Sequence, residues 1–120
     1  NRVLKPGGVL ILSTPNAVST HSITKMVNGV EPYFYMQYNK SGEYHRHNYE
    51  YSVHTLARVL KSAGFNGTIW TEDTFEDPVP SVVDRLNAAG FNIRNVGDNI
   101  FTIAKKEGSV VDRYPKEIYV

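Results

Sequence analysis

An apolar run near the start of the chain lies between two sets of residues that interrupt regular structure. Val9 to Leu12 is apolar at every position; Pro6-Gly7-Gly8 comes before it and Ser13-Thr14-Pro15-Asn16 follows it. A short run of this kind is typical of a strand buried on both faces, as in parallel sheets. The glycines permit positive φ before the strand, and Pro15 has no N–H to continue a ladder. The pattern therefore predicts a central strand of an α/β domain.

The composition limits the class of protein. The 120 residues suffice for one small domain, and 41% of them are hydrophobic, which can support a core. A net charge of +1 without a basic run gives no indication of nucleic acid as a partner. No apolar run approaches the roughly 20 residues that span a bilayer, and no signal peptide is evident. The absence of cysteine excludes disulfides and thiolate metal sites. We therefore expect a cytoplasmic domain without a membrane span, and the missing initial Met indicates a processed or truncated chain.

Three segments are predicted to be helical because each carries apolar residues at helical spacing and is followed by a glycine that can end a helix. Ser52 also has the character of an N-cap for the second of them. The expected helices and the glycines that end them are 17–28 with Gly29, 53–63 with Gly64, and 81–89 with Gly90.

Further strands are expected over 68–72, 91–96 and 99–104, and Gly97-Asp98 forms the turn into the last of them. Residues 107–120 are expected to form a tail in which Tyr114 and Tyr119 pack. The predicted organisation is thus one domain over 1–106 and a C-terminal tail over 107–120.

Three segments together resemble class I S-adenosylmethionine-dependent methyltransferases of the type 11-like group. In that family, Leu-Lys-Pro-Gly-Gly precedes an apolar strand that ends in Ser/Thr-x-Pro-Asn. A His-x-Arg-Glu-Tyr-Thr/Ser segment then leads into a helix ending in Ala-Gly-Phe, and Gly-Asp-x-Ile-Phe opens the closing strand. This chain matches these segments over 4–16, 47–65 and 97–106. The resemblance covers nearly the whole chain but only the C-terminal half of the family's domain.

The resemblance implies an α/β fold, namely part of a Rossmann-like sheet with strands 5, 6 and 7 of the family and their flanking helices. In that arrangement the last strand inserts antiparallel between the other two. The outer edge of the first strand, Val9 to Leu12, would then be exposed. Because proteins pair or cover such an edge, we expect a homo-oligomer formed through this strand.

The cofactor that the resemblance implies is S-adenosyl-L-methionine, bound in the family by a Gly-rich loop after the first strand and an acidic residue after the second. No Gly-x-Gly-x-Gly sequence occurs here, and Gly7 and Gly8 precede a strand instead of following one. The cofactor-binding residues are therefore unknown, and the chain alone is expected to be inactive.

The densest polar segment is Tyr44-His45-Arg46-His47-Asn48-Tyr49. The resemblance implies that His47 lies near the cleft between cofactor and substrate, where it could position a substrate or act as a base. Only His47, and not His45, keeps the family's spacing to Tyr51-Ser52. A metal site and a solvated loop remain alternatives for the two histidines, and we predict no metal. Tyr49 departs from the family, which usually has Arg there.

The candidate substrate-binding residues surround the end of the first strand. An aromatic insert follows that strand, at the edge where such sheets bind ligands. Tyrosine combines apolar area with a hydroxyl group, which suits sugars and other polar rings. Packing of the insert into a satellite core is an equal alternative, and Asn16 could instead satisfy turn backbone groups. The predicted substrate-binding residues are Asn16, Tyr33, Tyr35, Tyr44 and Tyr49.

These features predict methyl transfer to a small-molecule or glycan or lipid acceptor in the parent protein. Asp112-Arg113-Tyr114-Pro115 in the tail resembles family members of the surface-glycan-associated kind. The acids Asp73, Glu76 and Asp77 are better explained by a solvated, Pro-bounded loop than by acid–base catalysis. The alternative to an enzyme is a non-catalytic α/β half-domain that acts through self-association or a partner chain.

Overall fold

The computed structural model describes residues 1–32 and 49–119, which form three strands, three α-helices and one 3₁₀ turn. The predicted helices and two later strands are found at nearly the expected positions. The elements in chain order are β1 (Val9–Pro15), α1 (Thr20–Val27), α2 (Val53–Ser62), β2 (Phe65–Glu72), α3 (Pro80–Ala88), the 3₁₀ turn Ile93–Asn95 and β3 (Asn99–Lys106).

One predicted strand is wrong, because the segment 91–96 contains the 3₁₀ turn instead. The Asn92 side chain accepts a hydrogen bond from the Arg94 N–H at 3.1 Å, which favours a turn over an extended backbone. Phe91 is 65% exposed and Ile93 38% exposed. The apolar residues that suggested a strand therefore have no buried face to occupy.

The three strands form one antiparallel sheet in the order β1-β3-β2, and the fold is mixed α/β. The expectation that the last strand lies between the other two and runs antiparallel to both is confirmed. Since β1 and β2 both oppose β3, they run parallel to each other. The ends of β1 and β2, at Pro15 and Glu72, therefore both face the start of β3 at Asn99.

The core lies on one face of the sheet, beneath α2. Leu56 and Leu60 of α2 pack with three buried residues of β2 and β3, which are Phe65, Ile100 and Ala104. Leu10 and Leu12 are partly buried against the same cluster. This cluster is the contact between α2 and the sheet. Apolar burial stabilises by roughly 25 cal/mol per Å², so the cluster stabilises the packing of α2 on the sheet.

The expectation that the first strand is buried on both faces is wrong for the described residues. Val9 is 54% exposed, Ile11 75% and Ile103 49%. The β1–β3 register pairs Ile11 with Ile103, so these side chains share the face opposite α2. The described elements cover only the α2 face, because α1 and α3 pack on each other near the strand ends.

The helix ends follow the sequence signals closely. The Ser52 side chain accepts from the Thr55 N–H and the Ser19 side chain from the Ser22 N–H, each at 3.1 Å. Gly64, with φ of +79°, ends α2, and its carbonyl accepts the N–H groups of Glu107 at 3.0 Å and Gly108 at 3.2 Å. The tail is thereby fixed to the end of α2.

The tail continues over α2 with further backbone contacts. The Val111 N–H donates to the Ser62 carbonyl at 2.8 Å, and the rings of Tyr114 and Tyr119 meet edge to face at 5.2 Å. The predicted packing of these two tyrosines is confirmed. Within the described ranges, no helix has the length and apolar character needed to cross a membrane.

Candidate functional site at the carboxyl ends of the strands

Three chain segments meet where β1 and β2 end and β3 begins. Polar side chains from these segments converge at this edge, which makes it a candidate site. A cavity of about 20 Å³ lies here, between Pro15 and Phe75. Its polar residues, called the carboxyl-end cluster below, are Asn16, Ser19, His21, Glu76 and Asp98.

Asn16 is almost wholly committed to the backbone around it. The residue is 3% exposed, and its amide donates to the carbonyls of Asn95 at 2.9 Å and Gly97 at 2.7 Å. Its side-chain oxygen accepts from the Val18 N–H at 3.1 Å. Both amide protons are thus used within the fold, and this geometry favours the structural alternative over substrate binding for Asn16.

Asp98 anchors the loop that follows β2. Its carboxylate accepts hydrogen bonds from the N–H groups of Thr74 at 2.8 Å, Phe75 at 2.7 Å and Glu76 at 2.9 Å. Its own carbonyl accepts from the Asn16 N–H at 2.9 Å. Through these contacts Asp98, which precedes β3, connects the end of β1 with the loop after β2. Hydrogen bonds to a carboxylate are stronger than neutral ones. The sequence placed Asp98 in a turn but gave no indication of this anchoring role.

The side chains of His21 and Glu76 contact each other, and the contact is an ion pair when the imidazole is protonated. His21 Nδ1 lies 3.0 Å from a carboxylate oxygen of Glu76, and Nε2 lies 2.7 Å from the Asp77 carbonyl oxygen. The side chains are 27% and 39% exposed. Glu76 had been expected in a solvated loop, whereas it is half-buried and paired. Neither residue belongs to a recognisable motif, so only the fold brings them together.

The acids of this region influence one another. Burial raises the pKa of the Asp73 carboxyl, and the neighbouring Asp98 carboxylate raises it further. A hydrogen bond with the Asp98 backbone and the charge of His21 act in the opposite direction. The edge is therefore a locally acidic surface that carries one histidine.

The segment 49–52 lies beside the end of β1. Tyr51 forms a parallel bridge with Asn16, and its carbonyl accepts the Ala17 N–H at 2.9 Å. Tyr49 is 44% exposed; its ring lies 4.9 Å from that of Tyr51, and its hydroxyl donates to the Glu117 carbonyl at 3.4 Å. Of the predicted aromatic residues, Tyr49 is thus held between this segment and the tail.

Glu50 is the one residue of this segment with an unsatisfied buried atom. Its Oε1 is buried and has no hydrogen-bond partner among the described residues. Desolvation by burial raises the pKa of its carboxyl, and the charge of Lys25 partly offsets this. An acceptor left without a donor in this way lowers stability when it is ionised.

The other predicted site residues fall outside the described residues. They are His47, Tyr33, Tyr35 and Tyr44, together with His45 of the alternative metal site. In residues 1–32 and 49–119, no group of three or more His, Asp or Glu residues could hold a metal ion.

A larger concavity lies elsewhere, as an open groove of about 720 Å³ between α2, the edge of β2 and the tail. Its lining is mainly aliphatic side chains and glycine backbone, with Lys61 and Glu107 as its charged residues. Because chemistry needs convergent polar groups, we consider the smaller carboxyl-end cluster the better candidate site despite its volume.

Comparison with known proteins adds no assignment. No family model, no curated protein and no solved structure matches this chain. Any function must therefore be argued from the residues and their geometry.

Proposed function

We propose that this chain is the C-terminal half of a class I S-adenosylmethionine-dependent methyltransferase. The observation that best supports the proposal is the sheet order β1-β3-β2 with a central antiparallel β3. The resemblance of three sequence segments to the family implies the same strand order. A Pro-Asn end to β1 and a Gly-Asp turn before β3 also meet at one edge in space.

Under the proposal, the described residues do not supply the Gly-rich loop that binds S-adenosylmethionine. Gly7 and Gly8 precede β1, and the Gly7 N–H is engaged by the Lys106 carbonyl at 2.9 Å. When bound, the cofactor supplies an electrophilic methyl group on a sulfonium. Under the proposal its Gly-rich loop comes from sequence beyond these 120 residues.

His47 is the proposed catalytic residue, with the role of positioning the acceptor or removing its proton. The proposed acceptor is a small molecule or a glycan or lipid. Tyr51 bridges to the end of β1, and His47 precedes Tyr51 by four positions in the sequence, which supports the proposal. The proposed substrate contacts are Tyr33, Tyr35, Tyr44 and Tyr49, and the proposed location is the cytoplasm.

The experiment compares His47→Ala with His45→Ala in the protein encoded by the complete reading frame. Loss of a positioned acid–base group costs about 10²–10⁴-fold in rate, so His47→Ala should lower methyl transfer by that factor while His45→Ala changes it little. Equal small effects would assign the two histidines a structural role and remove His47 from the proposal.

A second candidate function is non-catalytic association through β1, and the edge of this strand opposite β3, along which no described strand pairs, supports it. The Asn16 N–H pairs with the Asp98 carbonyl in the β1–β3 register. Along an antiparallel ladder, residues that bond to the partner alternate with residues whose backbone groups face away. The N–H and C=O groups of Val9, Ile11 and Ser13 therefore face the edge opposite β3, where no described strand pairs with them.

A second copy of the chain would fit this edge. Antiparallel pairing of two β1 strands around Ile11 would place Val9 of one copy opposite Ser13 of the other, which is a two-fold symmetric arrangement. Unmade backbone hydrogen bonds cost about 1–3 kcal/mol each when they are buried. The proposed partner is thus a second copy of this chain, and the two copies form a homo-oligomer through β1.

A further inference from the structure

Loop 73–79, which joins β2 to α3, is held from two sides. On the β3 side, the Asp98 carboxylate accepts the N–H groups of Thr74, Phe75 and Glu76 at 2.7–2.9 Å. On the α1 side, His21 contacts the Glu76 carboxylate at 3.0 Å and the Asp77 carbonyl at 2.7 Å. Phe75 and Glu76 of the loop line a cavity of about 20 Å³ together with Asn16 and Ser19.

A hydrogen bond between α1 and the end of the loop can show experimentally whether the loop is closed. The Val79 N–H donates to the Thr20 hydroxyl at 3.1 Å, and the Thr20 N–H donates to the Val96 carbonyl at 3.0 Å. Thr20 and His21 are neighbours in the first turn of α1. Movement of the loop away from His21 would therefore weaken the protection of the Val79 amide.

The contacts of the loop with His21 and with Asp98 respond differently to protonation. Both ring nitrogens of His21 face an acceptor, but a neutral imidazole carries a single N–H. Only the imidazolium donates to Glu76 and Asp77 at the same time. Histidine side chains exchange between these forms between about pH 5 and pH 8, whereas the bonds to Asp98 are donated by backbone N–H groups, which do not titrate in that range.

We propose that His21 is a proton-controlled latch on loop 73–79: the imidazolium holds the loop closed against α1, and deprotonation opens that side while Asp98 keeps the other side as the hinge. Opening widens the small cavity and uncovers Asn16 and Ser19. Phe75 at the loop tip, already 70% exposed, moves with the loop. This inference does not depend on the methyl-transfer proposal.

The charged groups around the ring come from several elements. Glu76, Asp73 and Asp77 belong to the loop, and the charge of Asp73 interacts with His21. Asp98 precedes β3 and lines the same cavity. Lys25 lies one turn further along α1, and the charged residues of α3, Asp84 and Arg85, are exposed.

Amide hydrogen exchange read by NMR at pH 5.5 and pH 8.5 tests the latch. Loss of a hydrogen bond to a charged group corresponds to about a tenfold change, so the protection factor of Val79 should fall about tenfold at pH 8.5. The Thr74 and Phe75 amides, held by Asp98, should keep their protection. In His21→Ala, the protection factor of the Val79 amide should be low at both pH 5.5 and pH 8.5.

The matched control is His54→Ala, because His54 is exposed on α2 and lies outside the cluster. This variant should keep the wild-type pH dependence. A Val79 protection factor that is equal at both pH values, or that still changes with pH in His21→Ala, overturns the proposal. A parallel fall at the Thr102 amide in the buried centre of β3 would indicate global unfolding and would overturn it as well.

Discussion

The side-chain amide of Asn16 donates to the Gly97 carbonyl oxygen at 2.7 Å, a buried hydrogen bond between residues 81 positions apart. The second amide proton reaches the Asn95 carbonyl at 2.9 Å. Asn16 thus joins the end of β1 to the turn that starts β3. This contact brings together the Pro15-Asn16 and Gly97-Asp98 pairs, which lie far apart in the sequence.

The first prediction concerns this bond. Asn16→Asp keeps the side-chain shape but replaces two donated protons with a carboxylate facing two carbonyl oxygens. We expect the free energy of unfolding to fall by about 2–3 kcal/mol, since partners of a buried group are left unsatisfied. Urea denaturation at pH 7 measures it. Asn92→Asp is the control, because Asn92 is exposed and uses only its acceptor oxygen, toward Arg94. Similar losses in both variants would contradict the structural role of Asn16.

The second prediction concerns Gly67, which lies against the backbone of the central strand. A β-carbon at this position would overlap the Ile103 carbonyl oxygen and lie 2.5 Å from the Ala104 α-carbon. Gly67→Ala should therefore lower the free energy of unfolding by about 3 kcal/mol. Gly108→Ala, where a β-carbon meets nothing within 4 Å, should be nearly neutral. Thermal unfolding of both variants is the measurement, and an unchanged midpoint for Gly67→Ala would refute the close approach.

The third prediction concerns Glu50 and pH. Because burial raises the pKa of its carboxyl in the folded state, ionisation favours the unfolded chain. Below the ordinary pKa of 4.5, ionisation of Glu50 does not lower the free energy of unfolding. The loss of stability grows as pH rises from 4.5 to the raised pKa of the folded state, and it is constant above that pKa. Relative to wild type, Glu50→Gln should become more stable as pH rises through that window. Glu31→Gln, at an exposed position, should show no such trend. Denaturation from pH 3.5 to pH 7.5 is the test, and a constant difference between Glu50→Gln and wild type would count against burial of the carboxyl.

The fourth prediction concerns association through β1. Ile11 is 75% exposed, so Ile11→Lys should leave the fold intact while it disfavours pairing of two copies. Light scattering over a concentration series should show the wild-type chain associating and the variant remaining monomeric. Val3→Lys, at a position 83% exposed outside the sheet, should associate like wild type. A wild-type chain that stays monomeric at high concentration would exclude association at this edge.

The sequence predicted much of the local structure because end signals act over a few residues. Ser52 and Gly64 delimit α2 through bonds to Thr55 and to the tail, and the Gly97-Asp98 turn leads into β3 as expected. The segment 91–96 was mistaken for a strand because apolar side chains alone do not reveal whether a partner strand exists. Tertiary pairing, and not propensity, decides that case.

The candidate site was less predictable because its contacts are long-range. His21 and Glu76 are separated by 55 positions and meet only after α1 packs beside the loop that follows β2. Asp98 was part of a recognised segment, but its three backbone partners follow from the loop conformation. Burial of β1 was overestimated because an apolar run shows that cover is needed and not that it is present.

The most direct test of the methyltransferase proposal is calorimetric titration with S-adenosylmethionine. The protein encoded by the complete reading frame is the main sample, and the 120-residue chain is the comparison. We expect the longer protein to bind at micromolar concentration and the chain alone to bind weakly or not at all, because its glycines at 7 and 8 are engaged before β1. Absence of binding by the longer protein, or micromolar binding by the chain alone, would contradict the account.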